Sequence, residues 1–150
     1  MTVRRVSVWR NRYEVRAAGR VVTTWDGAFW RNGGAFTLDG LRYEVRGGAW
    51  GTRFTMLDPT GGTVATAERV GRKRWTVTAG GQVYAFHRAS LWGHRQELRA
   101  GDRTVGVVRR VSAWRNDVDV DLPGVPLPLQ VFVLGVVITM WDNQAAAAAS

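Results

Sequence analysis

The stretch PLPLQVFVLGVVITMWD, residues 126–142, decides the fold, because it is one long apolar run in a chain that is otherwise polar and rich in arginine. Residues 127–141 carry no charge, and their only polar side chains are Gln130 and Thr139. As a helix, this run would span about 22 Å at roughly 1.5 Å per residue. A bilayer core of about 30 Å needs roughly 20 residues. The run is therefore short for a membrane span.

The residues around the apolar run favour a helix that is buried inside the protein. Asp121 precedes the run and Asp142 follows it, so the basic anchors of a membrane span are missing. A helix that is apolar on all sides yet too short to span a bilayer is normally enclosed by protein. Many of its residues are β-branched, which leaves a buried pair of strands as an alternative, but Pro126 and Pro128 suit the entry to a helix. The sequence predicts a buried helix over about 126–142 and no transmembrane segment.

Upstream of about Asp121 the chain reads as a succession of short strands. Segments of four to eight residues are separated by turns of Gly, Asn and Asp, such as Gly80-Gly81 and Gly101-Asp102. RYEVR at 12–16 and LRYEVR at 41–46 alternate strictly between apolar and charged residues. This pattern predicts a mainly β fold, an antiparallel β-barrel of roughly twelve strands that encloses the C-terminal helix. Residues 1–142 would form one domain, and the Ala-rich, low-complexity tail 143–150 would prolong the helix before fraying.

One segment occurs twice: RRVSVWRN at 4–11 returns as RRVSAWRN at 109–116. The simplest interpretation is that similar strands meet similar turns. The alternative is a pair of basic and aromatic edges suited to a phosphate-bearing ligand. Arg4, Arg5, Arg109 and Arg110 are therefore weaker candidates for anion binding.

The strand layout and the apolar ending resemble a known superfamily. The ending DVDVDLPGVPLPLQVFVLGVVITMWD and the body GRVVTTWDGAFWRNGGAFTLDGLRYEVRG and RKRWTVTAGGQVYAFHR are similar to small bacterial members of the tubby C-terminal-like superfamily. Within it, the chain looks most like the LURP-one-related proteins and the phospholipid scramblases. The resemblance covers the chain to about Asp142 and implies a barrel around the terminal helix. It also implies a ligand class, anionic phospholipid headgroups.

A net charge of +9 favours an anionic partner, either a membrane surface or a nucleic acid. Twenty of the 21 basic residues are arginine, which is also what a GC-rich genome produces. The densest cluster, ERVGRKRW, supplies the candidates for binding an anionic lipid: Arg69, Arg72, Lys73, Arg74 and Trp75. Gly71 indicates a turn that projects the basic side chains, and an indole beside them suits the headgroup level of a membrane. A solvated hairpin is the plainer alternative.

The acidic run NDVDVD is a speculative calcium site. On a strand, Asp117, Asp119 and Asp121 would share one face with about 7 Å between neighbours. Its position also matches the acidic segment that precedes the terminal helix of scramblases. The turn Gly and the terminal bidentate Glu of a calcium loop are missing, however. A polar outer face, with the intervening valines in the core, is the alternative.

Little in the sequence supports catalysis. There are no cysteines, and His87 and His94 have no carboxylates at metal-ligand spacing. No serine sits in a nucleophile elbow and no Gly-rich phosphate loop leads into a helix. We therefore expect a non-enzymatic binding module without a cofactor, with anionic membrane lipid as its partner.

Two other functions stay open, a protein–protein scaffold without a lipid ligand and nucleic-acid binding through the basic surface. The second is less favoured, because the sequence lacks the aromatic signature of an RRM or OB-fold. The N-terminal residues MTVRRVSVWRN contain no apolar run, so we expect no secretory signal and a cytoplasmic protein, peripheral at the membrane.

Overall fold

The computed structural model describes residues 2–7, 12–25, 33–48, 50–89, 94–112 and 117–149, and not the side chains of 2–7, 12, 25, 111, 112 and 117. Within these ranges the protein is mainly β, with one C-terminal helix. The elements are β1 (Thr2–Ser7), β2 (Arg12–Ala17), β3 (Arg20–Trp25), β4 (Gly34–Leu38), β5 (Leu41–Gly47), β6 (Phe54–Leu57), β7 (Thr63–Glu68), β8 (Arg74–Ala79), β9 (Gln82–Arg88), β10 (Arg95–Ala100), β11 (Arg103–Ser112), β12 (Asp117–Asp121) and α1 (Leu127–Ala149).

All twelve strands belong to one antiparallel sheet, in the order β3-β2-β1-β12-β11-β10-β9-β8-β7-β6-β5-β4. The prediction of a mainly β fold with about twelve strands and a terminal helix is thereby confirmed. The two edge strands, β3 and β4, lie against each other. Within the part of the chain that the structure describes, no strand pairing joins them. Closure of the sheet into a barrel therefore stays a prediction.

Strict alternation of side chains places the core on one face of the sheet. In the two RYEVR segments, the Tyr and Val residues are buried: Tyr13, Val15, Tyr43 and Val45. The charged residues between them face outward, where each segment forms the same ion pair two residues apart. Arg16 pairs with Glu14, and the Nε of Arg46 lies 3.3 Å from the Oε1 of Glu44. The repeat thus encodes two strands that bury their Tyr and Val side chains on the same face of the sheet.

Helix α1 is buried on all sides along the predicted apolar run. Leu129 and every residue from Val131 to Trp141 are buried. The hydroxyl of Thr139 donates to the carbonyl of Gly135 at 2.8 Å, which satisfies a polar group in this apolar surrounding. The helix is long and apolar enough to cross a membrane by length and composition, yet 61% of its most apolar window is buried within the protein. The prediction of a buried helix is consistent with this arrangement.

The helix continues past its buried part through the Ala-rich tail, to Ala149, as expected for this tail. Alanine has the highest helix propensity, and no Gly or Pro stops the helix after Trp141. Residues 145–149 are exposed, so the last turns of α1 emerge from the sheet.

The antiparallel order sorts the connections between strands to two ends of the sheet. The odd-numbered strands all finish at one end, so the described residues of the β5–β6, β7–β8 and β9–β10 connections lie there. The C-terminal part of α1 lies at this end too, because a Cβ on Gly51 of the β5–β6 connection would come within 3.5 Å of the Asn143 side chain. We call this the helix-exit end. The opposite, tight-turn end carries the short turns 18–19, 39–40, 58–62, 80–81 and 101–102.

Candidate functional site

The predicted basic cluster forms the β7–β8 connection and the first residue of β8, at the helix-exit end. Its four basic side chains are all exposed, and we call them the basic turn: Arg69, Arg72, Lys73 and Arg74. The backbone is turned sharply, with φ of +59° at Arg69 and +91° at Gly71, and the N–H of Arg72 donates to the carbonyl of Arg69 at 3.1 Å. The structure therefore places the four predicted basic candidates together on one projecting turn.

Val70 anchors the basic turn to the rest of the protein. Its side chain is only 3% exposed, and its N–H donates to the carbonyl of Thr52 at 3.0 Å. The buried Val70 fixes the turn on the core while its charged neighbours point into solvent. The turn is thus a fixed presentation of positive charge, which costs less entropy on binding than a flexible segment would.

Trp75 does not belong to this site, and the expectation that its indole accompanies the basic residues outward is wrong. The side chain is 1% exposed and stacks on Phe86, with ring centroids 4.5 Å apart and planes at 16°. Its Nε1 donates to the Oε1 of Gln96 at 3.0 Å. Successive strand residues face opposite sides, so Arg74 lies outside the sheet and Trp75 inside it.

The exposed indole near the basic turn is that of Trp50, which the sequence analysis missed. Trp50 is 90% exposed. It stands at the tip of the β5–β6 connection, where the N–H of Gly51 donates to the carbonyl of Gly48 at 3.2 Å and the N–H of Gly48 to the carbonyl of Arg53 at 2.8 Å. Gly51 adopts φ of +68°, which favours glycine. The signal in the sequence is a Trp inside a Gly-rich turn, where it has no strand face on which to be buried.

The β5–β6 and β7–β8 connections form one continuous surface with the end of α1. The Thr52–Val70 hydrogen bond joins the two connections directly. A shallow pocket of about 230 Å³ lies between them and the helix, lined by Trp50, Gly51, Thr52, Val70, Gly71, Met140, Asn143, Gln144 and Ala147. Arg53 adds a fifth exposed basic side chain, and its Nη2 lies 3.8 Å from the Oε1 of Glu68. Trp50 and the basic turn are therefore parts of the same site.

The repeated RRVS segments lie on β1 and β11, which flank β12 on its two sides. Thr2 and Arg109 are both opposite Asp119 in the strand register. The register shifts at the same point of each repeat, between Arg5 and Ser7 and between Arg110 and Ser112. The repeat therefore encodes two adjacent hairpins with the same irregularity. The side chains of Arg4 and Arg5, the first two of the weaker candidates, are not among those that the structure describes.

Arg109 and Arg110, the other weaker candidates, have partners. The Nη2 of Arg109 lies 3.8 Å from the Oδ2 of Asp119, on the outer face. A pocket of about 530 Å³ surrounds this pair, lined by Arg95, Val107, Arg109, Asp119, Val120 and Asp121. The guanidinium of Arg110 lies 4.9 Å from the ring centroid of Trp141, a cation–π contact with the buried helix. Neither arginine extends the basic turn.

The acidic run alternates as a strand with a polar outer face. Val118 and Val120 are buried, while Asp119 and Asp121 face outward, the first beside Arg109. The side chain of Asp117 lies outside the description. Among the described residues, no group of three His, Cys, Asp or Glu side chains is placed to hold a metal ion. The calcium hypothesis, which needs all three carboxylates, therefore stays a hypothesis.

His87 lies on the outer face of β9, in register with Arg74 on one side and Glu97 on the other. Burial lowers the pKa of His87, and the positive charges of Arg74, Arg99 and Lys73 lower it further against the opposing effect of Glu97. His87 is therefore neutral at pH 7 and adds no charge to the basic turn. His94 is exposed at the start of β10.

No protein-family model matches the chain, and searches of curated proteins and of solved structures found no match either. A proposal of function therefore rests on the geometry of the helix-exit end and on the resemblance noted in the sequence.

Proposed function

We propose that this protein is a non-enzymatic module that binds anionic phospholipid headgroups at a membrane surface through the basic turn. One observation carries the proposal: Arg69, Arg72, Lys73 and Arg74 are all exposed on a turn that the buried Val70 fixes to the core. Each basic residue near an anionic bilayer contributes roughly 1 kcal/mol, so four on one turn support measurable binding at low salt. The resemblance to small bacterial members of the tubby C-terminal-like superfamily, close to LURP-one-related and scramblase-like proteins, points to the same class of ligand.

The proposal includes closure of the sheet into a barrel around α1. The contact between β3 and β4 and the burial of the helix on all sides support closure. A helix held inside the barrel is not available to cross a bilayer. The protein would accordingly act from the cytoplasm as a peripheral binder, without a cofactor and without moving lipid across the membrane.

The test is sedimentation of the purified protein with neutral and with anionic vesicles, at about 50 mM and about 300 mM salt. We expect binding to anionic vesicles alone, weaker at the higher salt. The variant Arg72→Ala/Lys73→Ala/Arg74→Ala should lose this binding. A matched control is Arg20→Ala/Arg42→Ala/Arg103→Ala, which removes three exposed charges from the tight-turn end. Because it leaves the basic turn intact, the control should bind like the unmodified protein.

The other outcomes identify the alternatives. Binding to neither vesicle at either salt contradicts the lipid proposal and leaves a protein–protein scaffold. Equal loss in both triple variants means that net charge, and not the basic turn, drives binding. A steep salt dependence with single-stranded nucleic acid, in the absence of vesicles, would favour a nucleic-acid binder. Salt-resistant binding to neutral vesicles would mean that α1 inserts in the bilayer.

A further inference from the structure

We infer that the described surface at the helix-exit end faces the membrane and that Trp50 is its anchor, with the indole inserted among the lipid headgroups. This inference rests on the proposed lipid binding and extends it to an orientation and to a second, apolar contribution. The described surface consists of Trp50, Arg53, the basic turn and the emerging end of α1.

The exposure of Trp50 is the first argument. An indole that is 90% exposed leaves a large apolar surface in water, whereas tryptophan is highly buried on average. The hydrogen-bonded turn between Gly48 and Arg53 holds Trp50 outward, so its exposure is built into the local structure. Tryptophan favours the headgroup region of bilayers, where its ring meets apolar chains and its N–H stays hydrated.

Charge placement is the second argument. On the two connections around Trp50 and the strand ends of β7 and β8 next to them, five exposed side chains are basic and one, that of Glu68, is a carboxylate, which lies 3.8 Å from Arg53. The residues of α1 beyond Asp142 carry no charge, and Ala147 lines the pocket beside Trp50. An uncharged centre bordered by arginines matches an anionic bilayer, in which a protein buries apolar groups and keeps cations at the phosphates.

A site-specific fluorescent probe tests the insertion directly. The chain has no cysteine, so Trp50→Cys can carry a single environment-sensitive label such as nitrobenzoxadiazole. We expect its emission to shift to the blue and to intensify on addition of anionic vesicles. The same label at Leu41→Cys, a 50% exposed position at the tight-turn end, should not respond. Labels that respond equally at both positions, or at neither, overturn the inference.

A second variant separates the indole from the charges. Trp50→Ala should weaken sedimentation with anionic vesicles about tenfold at both salt concentrations, because it removes an apolar contribution that salt does not screen. The basic-turn triple variant should instead lose the salt-sensitive binding itself. Different results would contradict the lipid-binding proposal and the Trp50 anchor. Absence of any vesicle binding by the unmodified protein contradicts the lipid proposal. Normal binding by Trp50→Ala together with a silent label at position 50 contradicts only the anchor.

Discussion

The indole N–H of Trp75 donates to the side-chain oxygen of Gln96 at 3.0 Å, and both side chains are 1% exposed. This hydrogen bond joins β8 to β10 across β9, on the inner face of the sheet. Phe86 lies on the intervening strand β9, and its ring stacks on that of Trp75. The bond explains how an amide and an indole nitrogen are accommodated in an apolar core, because each group satisfies the other.

Breaking either side of this pair should destabilise the protein. Trp75→Phe leaves the Gln96 oxygen without its indole donor, and Gln96→Leu leaves the indole N–H without its acceptor, so each change should cost about 1–3 kcal/mol beyond packing effects. The double variant should cost less than the two single costs together, by about 1 kcal/mol. Urea unfolding of the four proteins measures this coupling.

The control for this cycle is Tyr84→Phe, which removes a hydrogen bond of 3.3 Å to Gln82 at the surface. It should change the free energy of unfolding by less than about 0.5 kcal/mol. If the losses of unfolding free energy caused by Trp75→Phe and Gln96→Leu simply add in the double variant, the hydrogen bond contributes nothing beyond burial.

Position 106 requires glycine because the chain at Asp121 and Leu122 passes close to it, not because of its backbone angle. A Cβ at this position would lie 2.8 Å from the Cδ2 of Leu122 and 3.0 Å from the carbonyl oxygen of Asp121. Gly106→Ala should therefore destabilise the protein by about 1–3 kcal/mol through overpacking where the chain leaves β12. Gly48→Ala is the comparison, because its Cβ would meet nothing closer than 3.4 Å and should be nearly neutral. Thermal unfolding of both variants tests this difference. Equal losses of stability in Gly106→Ala and Gly48→Ala would contradict the close approach at Gly106 as the cause.

Asp58 closes the β6–β7 turn at the tight-turn end with three hydrogen bonds to one oxygen. Its Oδ1 accepts from the hydroxyl of Thr60 at 2.6 Å, from the N–H of Thr60 at 2.9 Å and from the N–H of Gly62 at 2.9 Å. The Thr60 hydroxyl and then the Gly62 N–H lower the pKa of Asp58. A lowered pKa in the folded state means that the carboxylate stabilises the fold above its unfolded pKa, and that this stabilisation disappears as pH falls through the folded value.

We expect Asp58→Ala to lower the urea midpoint at pH 7 and the difference from the unmodified protein to narrow below about pH 4. Thr60→Val, which removes the hydroxyl donor alone, should give a smaller difference that narrows in the same range. A difference that stays constant down to about pH 3 would show that the turn does not depend on the ionised carboxylate.

Much of the fold could be predicted from the sequence, because the alternation of apolar and charged residues in a strand and the length of an apolar run are local signals. The RYEVR segments already show which residues are buried, and residues 127–141 show a helix enclosed by protein. The continuation of the helix through the tail is also a local signal, since an Ala run favours helix without needing burial. The edge strands β3 and β4 are consecutive in the chain, but whether they pair depends on how the whole sheet curves, and no local pattern encodes that.

The candidate site was only half predictable. The basic turn is contiguous in sequence, so its four cations were found directly. Trp75 was assigned to it by proximity in sequence, although its alternation with the buried Val77 indicates the inner face. Trp50 is 19 positions before Arg69 and joins the site through the Thr52–Val70 hydrogen bond and the pocket that the two connections share. Tertiary contacts of this kind cannot be predicted from one segment of the sequence alone.

His87 should make the stability of the protein depend on pH in the mildly acidic range. Its pKa is lowered in the folded state, first by burial and then by the charges of Arg74 and Arg99. For a base, a lowered folded pKa means that the unfolded chain binds the proton more readily. Stability is therefore full above the unfolded value of about 6.5 and falls as pH decreases below it.

We expect the urea midpoint of the unmodified protein to fall between about pH 7 and about pH 5, and His87→Gln to flatten this fall. Arg74→Gln should flatten it partly, because the His87 proton then meets one positive charge fewer. His94→Gln removes the other, exposed histidine and should retain the dependence that His87 causes. If His87→Gln loses stability as steeply as the unmodified protein, the dependence comes from other groups, and the basic turn has no electrostatic link to β9.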